Sequence, residues 1–91
     1  MDFMNMMGNF QNIMEEAKEK LDDIIIDEQS QGVKVSVTAS GKITNISIDP
    51  SLLSNQDAEQ IEDLLLSSLN KALSIAKETE AKEMELSLIH I

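Results

Sequence analysis

Seven lysines, Lys18, Lys20, Lys34, Lys42, Lys71, Lys77 and Lys82, are the only side chains of this 91-residue sequence that carry a fixed positive charge. An ammonium group neutralises phosphate as a point charge and releases condensed counterions, so the chemistry on offer is electrostatic and indifferent to base sequence. No arginine is present to read guanine with a planar fork. Other chemistries find less. The single histidine, His90, stands next to the last residue, and the serines lack both a base and a G-x-S-x-G elbow, so no catalytic residue is assigned. Asp22, Asp23, Asp27 and Glu28 gather carboxylates but lack the D-x-[DN]-x-[DN]-G loop, and they read as a solvated acidic turn, with no metal ligand assigned. Without a phosphate loop, a dinucleotide fingerprint or zinc spacing, neither a cofactor nor a small-molecule substrate is expected. Asn45-Ile46-Ser47 matches a glycosylation sequon, which reads as chance in a chain with no secretion signal.

The elements that must carry the lysines follow from periodicity. Phe3, Met7, Phe10, Met14, Ala17, Leu21 and Ile24 recur at alternating spacings of four and three, a heptad seam that predicts a long first helix packed along another helix. Gly8 costs roughly 1 kcal/mol inside a helix, so fraying is expected before it, with Asn9 as a cap. Asp22-Asp23 followed by Ile24-Ile25-Ile26 marks the change from helix to a short first strand, and Gln29 to Gly32 is expected to turn. Val33, Val35 and Val37 alternate with Lys34, Ser36 and Thr38, the pattern of a strand with one buried face. After a turn at Ala39-Ser40-Gly41-Lys42, Ile46 and Ile48 resume the alternation until Asp49-Pro50 ends the ladder. Ser51-Leu52-Leu53 is then a tight turn or 3₁₀ piece. Ser54-x-x-Asp57 resembles a capping box opening a second long helix, whose apolar face is Ile61, Leu64, Leu65, Leu69, Ala72, Leu73 and Ala76. A helix continuing to Met84 spans roughly 43 Å, more than a three-stranded sheet of this size covers. The predicted fold is α+β: a long N-terminal helix, a three-stranded antiparallel β-meander, a short turn and a long C-terminal helix.

Composition narrows the class. One small domain buries only ~60 to 65% of the surface its unfolded chain exposes, so a thin core in need of a second copy is expected. Phe3 and Phe10 are the only aromatics, which leaves no stacking platform for single-stranded nucleic acid, and there is no cysteine. No apolar run approaches the ~18 residues of a membrane span, and a soluble cytoplasmic protein without membrane contact is expected. The net charge of −10 is unevenly spread. Residues 1–31 hold eight acids against two lysines, residues 32–48 hold only Lys34 and Lys42, and residues 49–91 hold nine acids against three lysines. The hairpin is the sole basic segment. Most of the lysines read as exposed partners of nearby glutamates, such as Glu15 with Lys18 and Glu78 with Lys82, and a purely solubilising role stays open for each of the seven.

From Gly8 to Met84 the order of elements resembles the YbaB/EbfC family of bacterial nucleoid-associated proteins. The likeness rests on Gly8-Asn9-Phe10, Met14, Glu19-Lys20 and Leu21 in the first helix, the Val33-Lys34-Val35-Ser36-Val37 strand, and above all Ile48-Asp49-Pro50-Ser51-Leu52-Leu53. The resemblance implies a tweezer-like symmetric homodimer whose helical arms project from a β core, located in the nucleoid and binding duplex DNA through its backbone with low sequence specificity. On that reading the seven lysines are the DNA-contact candidates, while Phe10, Met14, Ala17, Leu21, Val35 and Val37 serve the dimer and its packing. Asn12, Glu15 and Glu16 depart from the more basic arms of many relatives, so weak, salt-sensitive binding is expected. If only Lys34 and Lys42 of each chain meet phosphate, the salt slope is near −3.6. The alternative is an acidic dimeric adaptor or chaperone without DNA affinity, binding proteins through Met4, Met6, Met7 and Met14, although helical spacing favours ordinary packing for these. Residues 1–85 form the domain. Leu86 to Ile91 resemble translated sequencing-adapter sequence and are set apart as a non-native or disordered tail.

Overall fold

The computed structural model describes residues 3–54 and 57–89, with side chains left aside for residues 3–7, 9, 10 and 87–89. A helix α1 (Phe3–Asp23) leads to strands β1 (Ile25–Ser30), β2 (Val33–Thr38) and β3 (Ile43–Ile48), then helices α2 (Pro50–Ser54) and α3 (Ala58–Ile89). The strands pair sequentially and antiparallel, so the expected meander is the sheet that forms.

Register explains which side chains meet. Val35 stands opposite Glu28 on β1 and Ile46 on β3, and Val33 and Val37 repeat the arrangement two residues to either side. These three valines are wholly buried and pack against Ala72 and Ala76 of α3. Small residues at that contact let the helix axis approach the sheet closely, while Leu64, Leu65, Leu69 and Leu73 flank it. α3 lies over β1 and β2, and β3 is left at an uncovered edge.

Four local expectations are corrected. β1 runs on to Ser30, because Asp27 to Ser30 pair residue for residue with Ser36 to Val33. Only Gln31 and Gly32 turn, both with positive φ, the signature of a two-residue hairpin. The segment after Asp49 is a full turn of α-helix, not a tight turn or 3₁₀ piece: Pro50 fits the first helical position and Asp49 Oδ1 accepts from the Ser51 amide at 3.0 Å. The cap of the last helix is Asp57, whose Oδ1 accepts from the Gln60 amide at 3.1 Å. Ser54 instead donates its hydroxyl to the Ser51 carbonyl at the end of α2. Finally, α1 continues through Gly8 and Asn9 to Phe3, so Gly8 does not set its start and Asn9 does not cap it.

α1 packs along α3 as its seam requires, with Ala17 and Leu21 buried and Met14 half-buried. Phe3, Met4, Met6, Met7 and Phe10 contribute side chains outside the described residues. Two helices that outreach a sheet of six-residue strands give the chain its length of 66 Å against 16 Å across. The backbone of residues 86–89, which the sequence sets apart as a tail, continues α3, and His90 and Ile91 lie outside the described residues.

Candidate nucleic-acid interface

The sheet sorts its lysines by face. Val33, Val35 and Val37 point to α3, so Lys34 stands on the opposite, outer face, where it is exposed. Its cross-strand neighbours are Gln29 and Ser47, neither of which carries charge. The next row of that face holds Asp27, Ser36 and Asn45, with the Asp27 carboxylate accepting a hydrogen bond from the Ser36 hydroxyl. Directly across both strands Lys34 thus meets amide and hydroxyl groups, the side-chain types that contact phosphate and sugar oxygens, with the Asp27 carboxylate one row away.

Lys42 occupies the β2–β3 turn in a different environment. Gly41 adopts φ +93° there, and the turn closes through the Gly41 amide to the Thr38 carbonyl at 2.9 Å and the Thr38 amide to the Lys42 carbonyl at 2.8 Å. A bulge beyond it pairs Val37 with Ile43 and Ser36 with Asn45, leaving Thr44 to donate its hydroxyl to the Ser36 carbonyl at 3.2 Å. The Lys42 ammonium lies 3.6 Å from Asp22 Oδ1 at the end of α1. The Ser40 hydroxyl donates to the same Asp22 oxygen and lies 2.7 Å from the Thr38 hydroxyl, whose oxygen accepts from the Lys42 amide at 3.1 Å. Chiefly through the Ser40 hydroxyl, and secondarily through the Lys42 charge, the Asp22 carboxyl is held below the usual carboxylate range against an opposing effect of burial.

The other lysines do not join these two in one basic stripe. Lys18 shares with Lys42 an open cleft of about 290 Å³ that Leu21, Asp22, Ser40, Glu80 and Met84 also line. Lys71 of α3 reaches Glu28 of β1 at 3.6 Å and ties the helix to the covered face of the sheet. Lys20, Lys77 and Lys82 are exposed on the helices. Of the residues assigned to dimer and packing, Ala17, Leu21, Val35 and Val37 are buried within this one chain, and Phe10 lies among the undescribed side chains.

Periodicity alone missed a second surface. Ile43 and Ile46 lie on the covered side of the sheet by register, yet they are 50% and 47% exposed because α3 crosses β1 and β2 instead. The signal was available in principle: one helix about 10–12 Å wide does not cover three strands that at 4.7–4.9 Å each occupy about 14 Å. Among the described residues no helix is long and apolar enough to cross a membrane, and no group of three or more acidic, His or Cys side chains is placed to hold a metal ion.

Comparison with known proteins bears on this arrangement. The chain is 46% identical over 94 residues to a nucleoid-associated protein of Flavobacterium johnsoniae, an alignment covering 98% of the chain and 85% of that relative. A nucleoid-associated protein of Akkermansia muciniphila is 37% identical over 90 residues, covering 93% of the chain and 86% of its own length. The crystal structure of an uncharacterized protein from Helicobacter pylori superposes with a TM-score of 0.76 at 29% identity, covering 98% of each chain. Residues 1–88, which include the whole sheet, the Asp49-Pro50 cap and nearly all of both long helices, match one family throughout: the chain belongs to the YbaB/EbfC DNA-binding family.

Proposed function

We propose that the protein is a nucleoid-associated protein that binds duplex DNA as a homodimer, by contacts to the phosphate backbone and with low sequence specificity. Membership of a DNA-binding family supports DNA as the partner. The observation that carries the mechanism is Lys34, an exposed ammonium on the open face of the sheet with only uncharged neighbours across both strands. The absence of arginine removes the commonest bidentate base contact and leaves positioning to charge and DNA shape. The half-exposed Ile43 and Ile46 support a second copy, since a symmetric pairing across that side of the sheet buries apolar surface that α3 leaves open.

The net charge of −10 keeps the affinity modest, because DNA must approach the hairpin between two acidic helices. The hairpin lysines set an upper limit: were Lys34 and Lys42 of both protomers all engaged, four phosphates would be neutralised and the slope of log affinity against log salt would reach about −3.6. A titration of duplex DNA at several salt concentrations tests this. Binding at low salt that weakens on Lys34→Glu with Lys42→Glu supports the reading; no binding at about 50 mM salt overturns it. The same acidic helices are what would favour a protein-binding adaptor, and that reading gains only if DNA affinity is absent while the dimer is intact.

A further inference from the structure

The sequence counts Lys42 with Lys34 as the two cations of its sole basic segment, and the structure gives Lys42 a resident anion. Four contacts close a ring: the Lys42 amide to Thr38 Oγ1, Thr38 to the Ser40 hydroxyl, Ser40 to the Asp22 carboxylate, and Asp22 back to the Lys42 ammonium. The ring joins the last turn of α1 to the β2–β3 turn, so Asp22 is fixed from two directions. A carboxylate presented this way offers Lys42 what a DNA phosphate offers, an oxyanion at ion-pair distance that is already paired before DNA arrives. The Lys42 side chain remains 72% exposed and that of Asp22 46% exposed, so a stronger anion can reach the ammonium from solvent. The Lys71–Glu28 pair differs in this respect, since the Glu28 side chain is only 19% exposed and ties α3 to β1.

We infer that Asp22 is an intramolecular competitor of DNA phosphate for Lys42, an autoinhibitory contact that limits how many phosphates each protomer neutralises. The inference rests on the DNA-binding reading above and adds to it a residue that lowers affinity. In the intact protein Lys42 is held back and Lys34 acts alone on the hairpin, which sets its contribution to the salt slope of a dimer near −1.8, half the value for both lysines. Neighbouring Asp23 carries the same charge, is exposed, and stands outside the ring.

The test compares duplex DNA titrations of the full chain and three variants over one salt series. Asp22→Asn keeps an oxygen acceptor for Ser40 while removing the charge, and it should strengthen binding several-fold at low salt and steepen the slope by about 0.9 per protomer. Asp22→Asn with Lys42→Gln should return the slope to that of the unaltered chain. Asp23→Asn removes the same charge without releasing Lys42 and should leave the slope unchanged. An Asp22→Asn slope equal to that of the unaltered chain, or a steepening that Asp23→Asn reproduces, overturns the inference and leaves the DNA-binding reading standing. Absence of binding by every form overturns that reading, and the inference with it.

Discussion

Replacing Ile43 and Ile46 together by threonine should split the dimer into folded monomers. Threonine retains the branched Cβ that suits a strand, so β3 keeps its pairing with β2. Fully burying an isoleucine side chain is worth roughly 1.5–3 kcal/mol, and these two are 50% and 47% exposed in the single chain, which leaves about half of that, ~0.8–1.5 kcal/mol each, for association. A two-fold interface uses every residue twice, so four side chains hold about 3–6 kcal/mol, a factor of roughly 10² to 10⁴ in the dimer dissociation constant. Sedimentation of the variant at micromolar concentration should show a monomer where the unaltered chain is a dimer, with helical circular dichroism retained. Ile25→Thr is the control, because Ile25 is 53% exposed but pairs with Thr38 on the opposite face of the sheet. A double variant that sediments as the unaltered chain does, or an Ile25→Thr variant that dissociates equally, refutes the assignment of this face; an unaltered chain that is itself a monomer refutes the dimer.

Four further outcomes concern stability. Gly32→Ala should destabilise by about 1–2 kcal/mol, since Gly32 adopts φ +93° and an added Cβ would stand 3.1 Å from Leu52 and 3.2 Å from Asp49; Gly8→Ala, with open space around an added Cβ, should stabilise by up to about 1 kcal/mol, and thermal melts read both signs. Ser68→Ala should raise the melting temperature, because the Ser68 hydroxyl is buried on α3 without a hydrogen-bond partner among the described residues and an unsatisfied group costs about 1–3 kcal/mol. Asp49 caps α2 through the Ser51 amide and its carboxyl is held below the usual range by that hydrogen bond. A lowered pKa in the folded chain adds stability above the unfolded carboxylate pKa that is lost as pH falls through the folded value. Denaturant melts of the protein and of Asp49→Ala should therefore differ above about pH 5 and converge as pH falls below about 4.

The parts of this fold that the sequence makes legible are those set by local pattern. Alternation of Val33, Val35 and Val37 with polar residues places β2, and Asp49-Pro50 marks its neighbour's end because proline lacks the ladder donor. What escapes depends on distant partners. Asp27 and Glu28 read as a turn, yet they extend β1 because Ser36 and Lys71, remote in sequence, supply partners for their charges. Ser54 and Asp57 are both good caps, and only the one-turn helix α2 before them decides that Asp57 serves α3. The candidate site divides in the same way. Strand period gives the face on which Lys34 stands but not its exposure, since Ser36 and Thr38 of that face are buried; the Asp22 anion facing Lys42 comes from a helix end twenty residues away, and the openness of Ile43 and Ile46 comes from where α3 happens to cross.

DNA binding on this mechanism needs a phosphate to meet the ammonium on the outer face of the sheet, and Lys34→Gln measures that contact most directly. Anisotropy titrations of a labelled duplex across a salt series should show binding that is indifferent to base sequence. The log–log slope should become shallower by about 0.9 per protomer in the variant. A slope and affinity unchanged by Lys34→Gln, or no binding by the unaltered chain at about 50 mM salt, would contradict it.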